Sequence, residues 1–216
     1  MIHLYTQTVN TSDSDIERIV EVLENRGIIA YETDINWAFA CDSKSANAVE
    51  RLLDLKPNHP KKTPFTFIFQ DIAQISHYAL VEIDHYRCLK KIFPGPYTII
   101  LQRGRDFPRH VDDKRKNVGV RIMDQSLIKR VIEKLGRPLI STSVPGILEQ
   151  CIDSSEEIEH GMHFGYQVAE KFGNYLDLVV DTGAELLNLE TTVIDYTESV
   201  PVLLRQGVGS LDGFNL

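Results

Sequence analysis

Hydroxyl and charged side chains follow several of the apolar runs that predict β-strands in this sequence. They are Thr33-Asp34, Arg121, Ser141-Thr142-Ser143, Thr191-Thr192 and Arg205. Open α/β sheets place ligand-binding groups just past the ends of buried strands, so these side chains could line one polar pocket. Hydroxyl and guanidinium groups there would suit phosphate or carboxylate ligands. The alternative is that each residue only ends a strand or shapes a turn, and both interpretations stay open from the pattern alone.

The clearest of these strand ends lies in residues 28–42, IIAYETDINWAFACD. An apolar run long enough for a buried strand turns polar at Glu32, Thr33, Asp34 and Asn36, and a second apolar run then follows from Trp37. This pattern favours either a ligand-binding loop or a turn that Thr33 and Asp34 shape.

Strands and helices alternate along the chain, which predicts an α/β domain with a mixed sheet. We predict a first helix capped by Ser14 and ended by Gly27, followed by a strand over residues 27–31. A later helix is predicted to begin at Asp124 and to end at Gly136. Because no repeat or low-complexity linker interrupts the pattern, we expect a single domain over residues 1–216.

The chain is acidic, with a formal net charge of −8, so its average field does not favour polyanions. A basic loop over residues 102–117 is the exception, and its cluster Lys114, Arg115 and Lys116 is the candidate RNA-binding patch. The alternative is an ordinary solvated loop, which is the commoner meaning of such a charge run.

Several classes of protein are not indicated. No apolar run approaches the length of a membrane span, the N-terminus lacks the pattern of a secretory signal, and the three cysteines have no paired spacing. We therefore expect a cytoplasmic protein that does not bind membranes. The familiar nucleotide-binding and nucleophile motifs are absent, so no catalytic residue is assigned. The pair His160 and His163 is weak support for a metal site, and no metal site is predicted.

Eight segments stand out when they are taken in order: AYETDINWAFACD, LK with KKTPFTFIF, FPGPYTIIL, VGVRIMD, PLISTSVPG, VVDTGA, ETTVIDY and LLRQGVG. Together they resemble the YrdC/YciO family of threonylcarbamoyl-adenylate synthase-like proteins. Lys56 and the basic stretch that follows it resemble the family's lysine and basic loop. The run KRKNVGVR and the sequence STS without a following Asn resemble the YciO branch more closely.

The resemblance implies a twisted, open, mixed α/β sheet with flanking helices around a deep cavity. It implies ATP, accompanied by Mg²⁺, together with L-threonine and bicarbonate as substrates. The implied products are threonylcarbamoyl-AMP and pyrophosphate, and no tightly bound prosthetic group is expected. It also implies a link to tRNA modification and to binding tRNA or double-stranded RNA. By position in the family's motifs, the implied nucleotide- and substrate-binding residues are Thr33, Lys56, Arg121, Ser143, Thr191, Thr192 and Arg205.

Some positions depart from the family's motifs. Glu32 replaces a proline and is expected to add negative charge at the pocket mouth, Asn58 replaces an arginine, and Pro145 replaces an asparagine. The last two changes remove hydrogen-bond donors that a phosphate would use. The alternative to a synthase is therefore a catalytically weakened protein of the same fold that binds a nucleotide or double-stranded RNA.

Overall fold

The computed structural model describes residues 1–7, 9–55, 66–111, 116–144, 161–198, 200–212 and 214. Within them lie ten strands and six α-helices. The strands are β1 (Ile2–Tyr5), β2 (Ile28–Glu32), β3 (Trp37–Asp42), β4 (Thr66–Ile68), β5 (Tyr97–Gln102), β6 (Asn117–Arg121), β7 (Leu139–Ser143), β8 (Leu178–Asp181), β9 (Thr192–Asp195) and β10 (Val202–Arg205). The helices are α1 (Asp13–Glu24), α2 (Ala46–Asp54), α3 (Ile72–Tyr78), α4 (Ile83–Ile92), α5 (Ser126–Leu135) and α6 (Gly165–Phe172).

The starts of two helices differ from the sequence prediction. Helix α1 is capped by Ser12 rather than Ser14, and the Ser12 hydroxyl accepts a hydrogen bond from the Asp15 backbone N–H at 3.1 Å. Helix α5 is preceded by Gln125 rather than Asp124, and Gln125 makes no side-chain capping bond. Both predicted caps lay within two residues of the observed one, which is the usual uncertainty of helix boundaries.

The helix ends show where glycine is required. Gly136 follows α5 with φ of 72°, a left-handed conformation that glycine adopts without steric cost, so this predicted end is confirmed. After α1 the left-handed residue is Arg26, with φ of 65°, so the predicted end of this helix at Gly27 is one residue too late. A Cβ atom on Gly27 would lie 2.5 Å from the Val22 side chain, so close packing requires the glycine there.

All ten strands form one sheet, in the order β1-β8-β2-β3-β7-β4-β6-β5-β9-β10. Four neighbouring pairs are parallel, namely β1/β8, β8/β2, β4/β6 and β5/β9, and the other five are antiparallel. The predicted mixed α/β architecture is therefore confirmed. The apolar run after Asn36 is strand β3, which forms a hairpin with β2. All six β3 residues are buried, so the alternating pattern that marks a half-exposed strand is missing.

Helices cover both faces of the sheet. Helices α2, α3, α4 and α6 pack their apolar residues on one face, and α1 and α5 pack theirs on the other. The core on the α1/α5 face draws on strands β1, β2, β3, β4, β7 and β8. Among the described residues, no helix is both long and apolar enough to cross a bilayer.

Candidate functional site

The strand register places several polar residues on the face that α1 and α5 cover. Tyr31 pairs with Ala38, and Ala38 in turn pairs with Ser143. On the same two strands Ser141 pairs with Ala40. Because directly paired residues point to the same face of a sheet, the phenol and the two serine hydroxyls share a face with two small alanines.

Arg121 lies on this face as well. It pairs with Ile68, which pairs with Leu139, two residues before Ser141. The Arg121 side chain is only 8% exposed, and its Nη2 donates to the carboxylate of Asp34. Its Nε is buried and has no hydrogen-bond partner among the described residues. A buried N–H group without an acceptor is uncommon in proteins, so an acceptor from a ligand would fit this position.

The phenol of Tyr31 lies on the same face of the sheet, and we call Tyr31 and Ser141 together the polar floor of the site. Its oxygen lies 2.9 Å from Oγ of Ser141, and that hydroxyl donates to the Phe39 carbonyl at 3.0 Å. Burial raises the pKa of Tyr31 to about 12, although Ser141 and Arg121 act in the opposite direction. The phenol is therefore neutral at physiological pH and presents a dipole rather than a charge near Arg121.

The β2–β3 hairpin ends in a turn that Thr33 organises. The Thr33 hydroxyl accepts from the backbone N–H groups of Ile35 and Asn36, at 3.2 and 3.0 Å, and lies 2.7 Å from the Asn36 carbonyl, to which it donates. The Asn36 side chain donates to the Leu189 carbonyl at 3.1 Å. The turn-shaping interpretation therefore describes Thr33, whereas the neighbouring Asp34 faces Arg121.

A second group of predicted residues lies near the start of β9. The guanidinium of Arg205 donates to the Thr191 carbonyl at 3.1 Å, to the Thr191 hydroxyl at 2.9 Å and to Glu190 at 2.9 Å. The Thr191 hydroxyl lies 3.3 Å from that of Thr98. Because Ile99 pairs with Val120, Thr98 lies across from Arg121 on the neighbouring strand. The second group therefore borders the first, but all three Arg205 nitrogens already have partners within the chain.

Thr192 points to the opposite face from Thr191 because successive residues of a strand alternate. Its hydroxyl is fully buried, donates to the Gly209 carbonyl at 2.8 Å and accepts from the Gly207 N–H at 3.1 Å. These bonds tie the C-terminal segment to β9. The contacts of Thr192 are thus structural, and its predicted substrate-binding role stays a prediction.

Other predicted residues are exposed or lie outside the described residues. Ser143 and Lys116 are exposed at the surface. Outside the described residues are Lys56, Asn58, Lys114, Arg115, Pro145 and His160. The deep cavity and the RNA patch therefore stay predictions. In the described part of the chain, no group of three or more His, Cys, Asp or Glu residues is arranged to hold a metal ion.

Glu32 was expected to add negative charge at the pocket mouth, and that position stays a prediction, as does the deep cavity itself. Glu32 is 5% exposed, and its carboxylate accepts from the backbone N–H of Thr182 at 2.7 Å and from the Thr182 hydroxyl. It points away from the Tyr31 face, towards Asp181, whose carboxylate lies 2.8 Å from Nε2 of His3. Burial raises the pKa of Glu32, and the nearby Asp181 adds to the effect. The motif comparison could not show this, because it says nothing about which face a substituted residue occupies.

Two residues of the site, Asp34 and Tyr31, had no assigned role in the sequence prediction. The partner of Asp34 is 87 positions away in sequence, and that of Tyr31 is 110 positions away. The available signal was that Asp34 follows a buried strand directly. Together, the site combines one buried guanidinium, one carboxylate at the hairpin turn and several hydroxyls. This set can bind a carboxylate or phosphate beside a polar floor.

The Sua5/YciO/YrdC family model, described as telomere recombination, matches residues 21–207 of the chain. The chain belongs to this family. It is 31% identical to the Escherichia coli K12 protein YciO over 213 residues, which is 97% of each chain. It is 27% identical to the threonylcarbamoyl-AMP synthase of Pyrococcus abyssi over 181 residues, which is 83% of this chain and 50% of that enzyme.

Solved structures of the family share the fold. The crystal structure of E. coli YciO matches with a TM-score of 0.87 and 30% identity, covering 99% of this chain and 100% of that one. The P. abyssi Sua5 structure complexed with L-threonine matches with a TM-score of 0.81 and 23% identity, covering 96% of this chain and 58% of that one. The predicted family assignment is confirmed, and the similarity to YciO extends over the full length of both chains.

Proposed function

We propose that this Sua5/YciO/YrdC-family protein is a threonylcarbamoyl-AMP synthase-like nucleotidyltransferase. Its substrates would be ATP, L-threonine and bicarbonate, and its products would be threonylcarbamoyl-AMP and pyrophosphate. The threonylcarbamoyl-AMP would then serve tRNA modification. Support comes from the family assignment and from the synthase of P. abyssi, to which the chain is 27% identical over 181 residues.

The observation that carries the proposal is the setting of Arg121. Its guanidinium is buried, contacts one carboxylate and has a buried Nε without an acceptor among the described residues. Burying a charged group with an unmade hydrogen bond costs stability, so such a group is more often kept for a ligand than for packing. A carboxylate that bridges Nε and a terminal nitrogen would satisfy the guanidinium by the usual two parallel bonds.

The proposed reaction balances in two steps. The threonine amine attacks the carbon of bicarbonate, and a carbamate forms as water leaves. A carbamate oxygen then attacks the α-phosphorus of ATP, the α–β bridging bond breaks and pyrophosphate leaves. In this scheme Arg121 and Thr33 lie at the threonine end, Ser143 and Thr191 border the nucleotide, and Mg²⁺ enters with ATP. Lys56, Thr192 and Arg205 keep their proposed nucleotide-facing roles.

The test measures pyrophosphate release with all three substrates and with each one omitted. We expect release that requires L-threonine, and a loss of about tenfold or more in Arg121→Met, because a charge-assisted pair of hydrogen bonds is removed. Arg130→Met is the matched control. Its guanidinium lies on α5 and pairs with Asp13, which is exposed on α1, so the variant should retain activity.

Three outcomes separate the alternatives. Threonine-dependent release in the wild type and Arg130→Met, but not in Arg121→Met, supports the proposal. Thermal stabilisation by ATP without any pyrophosphate release would overturn the synthase and favour a nucleotide-binding protein of this fold. Neither stabilisation nor release at high protein concentration would overturn both.

A further inference from the structure

We infer that Asp34 is a substrate-contacting residue that binds the α-amino group of an amino acid whose carboxylate binds Arg121. The inference rests on the proposed function and adds a residue to it. In the absence of a ligand the two side chains bind each other, and the substrate would exchange one ion pair for two.

The first observation is the arrangement of the pair. The Arg121 side chain is 8% exposed and the Asp34 side chain 22% exposed, so the carboxylate is the more accessible partner. The described contact joins one Asp34 oxygen to Nη2 alone and leaves the buried Nε without an acceptor. A carboxylate that replaced Asp34 could bridge Nε and Nη2 by two parallel bonds and satisfy the guanidinium more fully.

The charge balance of the Arg121–Asp34 pair favours a zwitterion over a simple anion. A simple anion that displaced Asp34 from Arg121 would leave one carboxylate unpaired beside another, and both would lie in a partly desolvated place. A zwitterion avoids this cost, because its carboxylate takes the guanidinium while its ammonium takes Asp34. The net charge of the site is the same before and after binding, and no buried charge is left without a partner.

Two other carboxylates, Glu32 and Glu190, already have hydrogen-bond partners within the chain. Glu32 points to the other face and accepts two hydrogen bonds from Thr182, and Glu190 binds Arg205. The Thr33 hydroxyl is used in the hairpin turn. Among the described residues, Asp34 is the carboxylate that contacts Arg121, so a ligand amine bound beside that guanidinium would lie near it. The ammonium must release one proton to solvent before the neutral amine attacks bicarbonate, and the same Asp34 oxygens can then accept a hydrogen bond from that amine.

The experiment compares two ligands that differ only in the amino group. Isothermal titration would measure the binding of L-threonine and of 3-hydroxybutanoate, which lacks the ammonium, to the wild type and to Asp34→Asn. We expect the wild type to prefer L-threonine by about tenfold or more. In Asp34→Asn this preference should fall towards unity, because binding of L-threonine weakens while binding of 3-hydroxybutanoate stays the same or tightens.

The matched control is Asp13→Asn, which changes an exposed carboxylate paired with Arg130. It should keep the wild-type preference, and circular dichroism with thermal melts would verify that both variants are folded. Equal weakening of both ligands in Asp34→Asn would overturn the inference, because Asp34 would then only orient Arg121. Equal tightening would also overturn it, because Asp34 would then be a competitor for any anion.

Failure of the proposed function has a different signature. A wild type that binds neither compound, with or without ATP, would contradict both the amino-acid substrate and the role of Asp34. A wild type that binds L-threonine well, together with an Asp34→Asn variant of unchanged preference, would contradict the role of Asp34 alone.

Discussion

Among the partly buried arginine–aspartate pairs of the described residues, Arg137–Asp42 and Arg121–Asp34 differ in how completely they are satisfied. In the first, Nε and Nη2 of Arg137 donate to the two oxygens of Asp42 at 2.8 and 2.7 Å, and Nη1 donates to the Leu135 carbonyl at 2.9 Å. In the second, Arg121 makes one described contact to Asp34 and keeps a buried Nε without an acceptor. The first pair is a closed structural bridge, and the second is open.

The difference shows that residue type alone does not separate a structural ion pair from a binding group. Both pairs join an arginine and an aspartate far apart in sequence, by 95 and 87 positions. In the closed pair the Asp42 side chain is 5% exposed and also accepts from the Lys44 backbone N–H. The hydrogen bond to Asp42 also raises the pKa of Arg137, which favours the charged guanidinium.

The largest expected effect comes from removing the arginine of the closed pair. Arg137→Met leaves the Asp42 carboxylate buried without its counter-ion, and we expect a loss of about 3 kcal/mol in the free energy of unfolding. Arg121→Met leaves Asp34, which can turn to water, and it also removes the unsatisfied Nε. We therefore expect that variant to lie within about 1 kcal/mol of the wild type. Urea unfolding would measure both free-energy changes, provided that the variants and the wild type show the same dependence of the unfolding free energy on urea concentration.

Equal destabilisation by the two substitutions would break the comparison, because it would show that Arg121 also contributes mainly to stability. Arg130→Met supplies the baseline, since its partner Asp13 is exposed and a surface pair contributes about 1 kcal/mol or less.

A smaller effect is expected from Glu32, a carboxylate that is buried like Asp42 but pairs with no arginine of the described residues. Its raised pKa means that the folded protein holds this proton more tightly than the unfolded chain does. Stability from this group is therefore present below the ordinary value of 4.5 and is lost as the pH rises through the raised pKa. Glu32→Gln does not titrate, so its stability relative to the wild type should increase with pH from about 4.5 upwards, by at most about 1.4 kcal/mol per pH unit.

Unfolding curves between pH 4.5 and 8 would measure this difference, with Glu17→Gln as the exposed control that pairs with Lys134. A difference between Glu32→Gln and the wild type that stays constant across this range would show that the fold does not raise the pKa of Glu32. A difference that decreases with pH would contradict the direction of the shift.

The sequence predicted the architecture better than the site, for a physical reason. The end of α5 at Gly136 and the alternation of strands and helices depend on neighbouring residues, so the local pattern carries them. The pairing of β2 with β8 joins residues about 150 positions apart, and it brings Glu32 to Thr182, which no local pattern could indicate. Thr33 and Arg121 were predicted from motifs and their roles stay predictions, whereas Asp34 was only a polar residue after a strand until its contact with Arg121 was known.

The smallest expected effect comes from Tyr31, which lies beside Ser141 on the same sheet face as the Arg121–Asp34 pair. Tyr31→Phe removes the phenol that lies 2.9 Å from Ser141, but the Ser141 hydroxyl keeps its bond to the Phe39 carbonyl and is not left unsatisfied. We therefore expect a loss of about 1 kcal/mol in the free energy of unfolding, with the preference for L-threonine over 3-hydroxybutanoate unchanged. A variant that lost the preference while keeping its stability would show that the phenol itself helps to set the charge pair, and Arg121 would then depend on the floor as well as on Asp34.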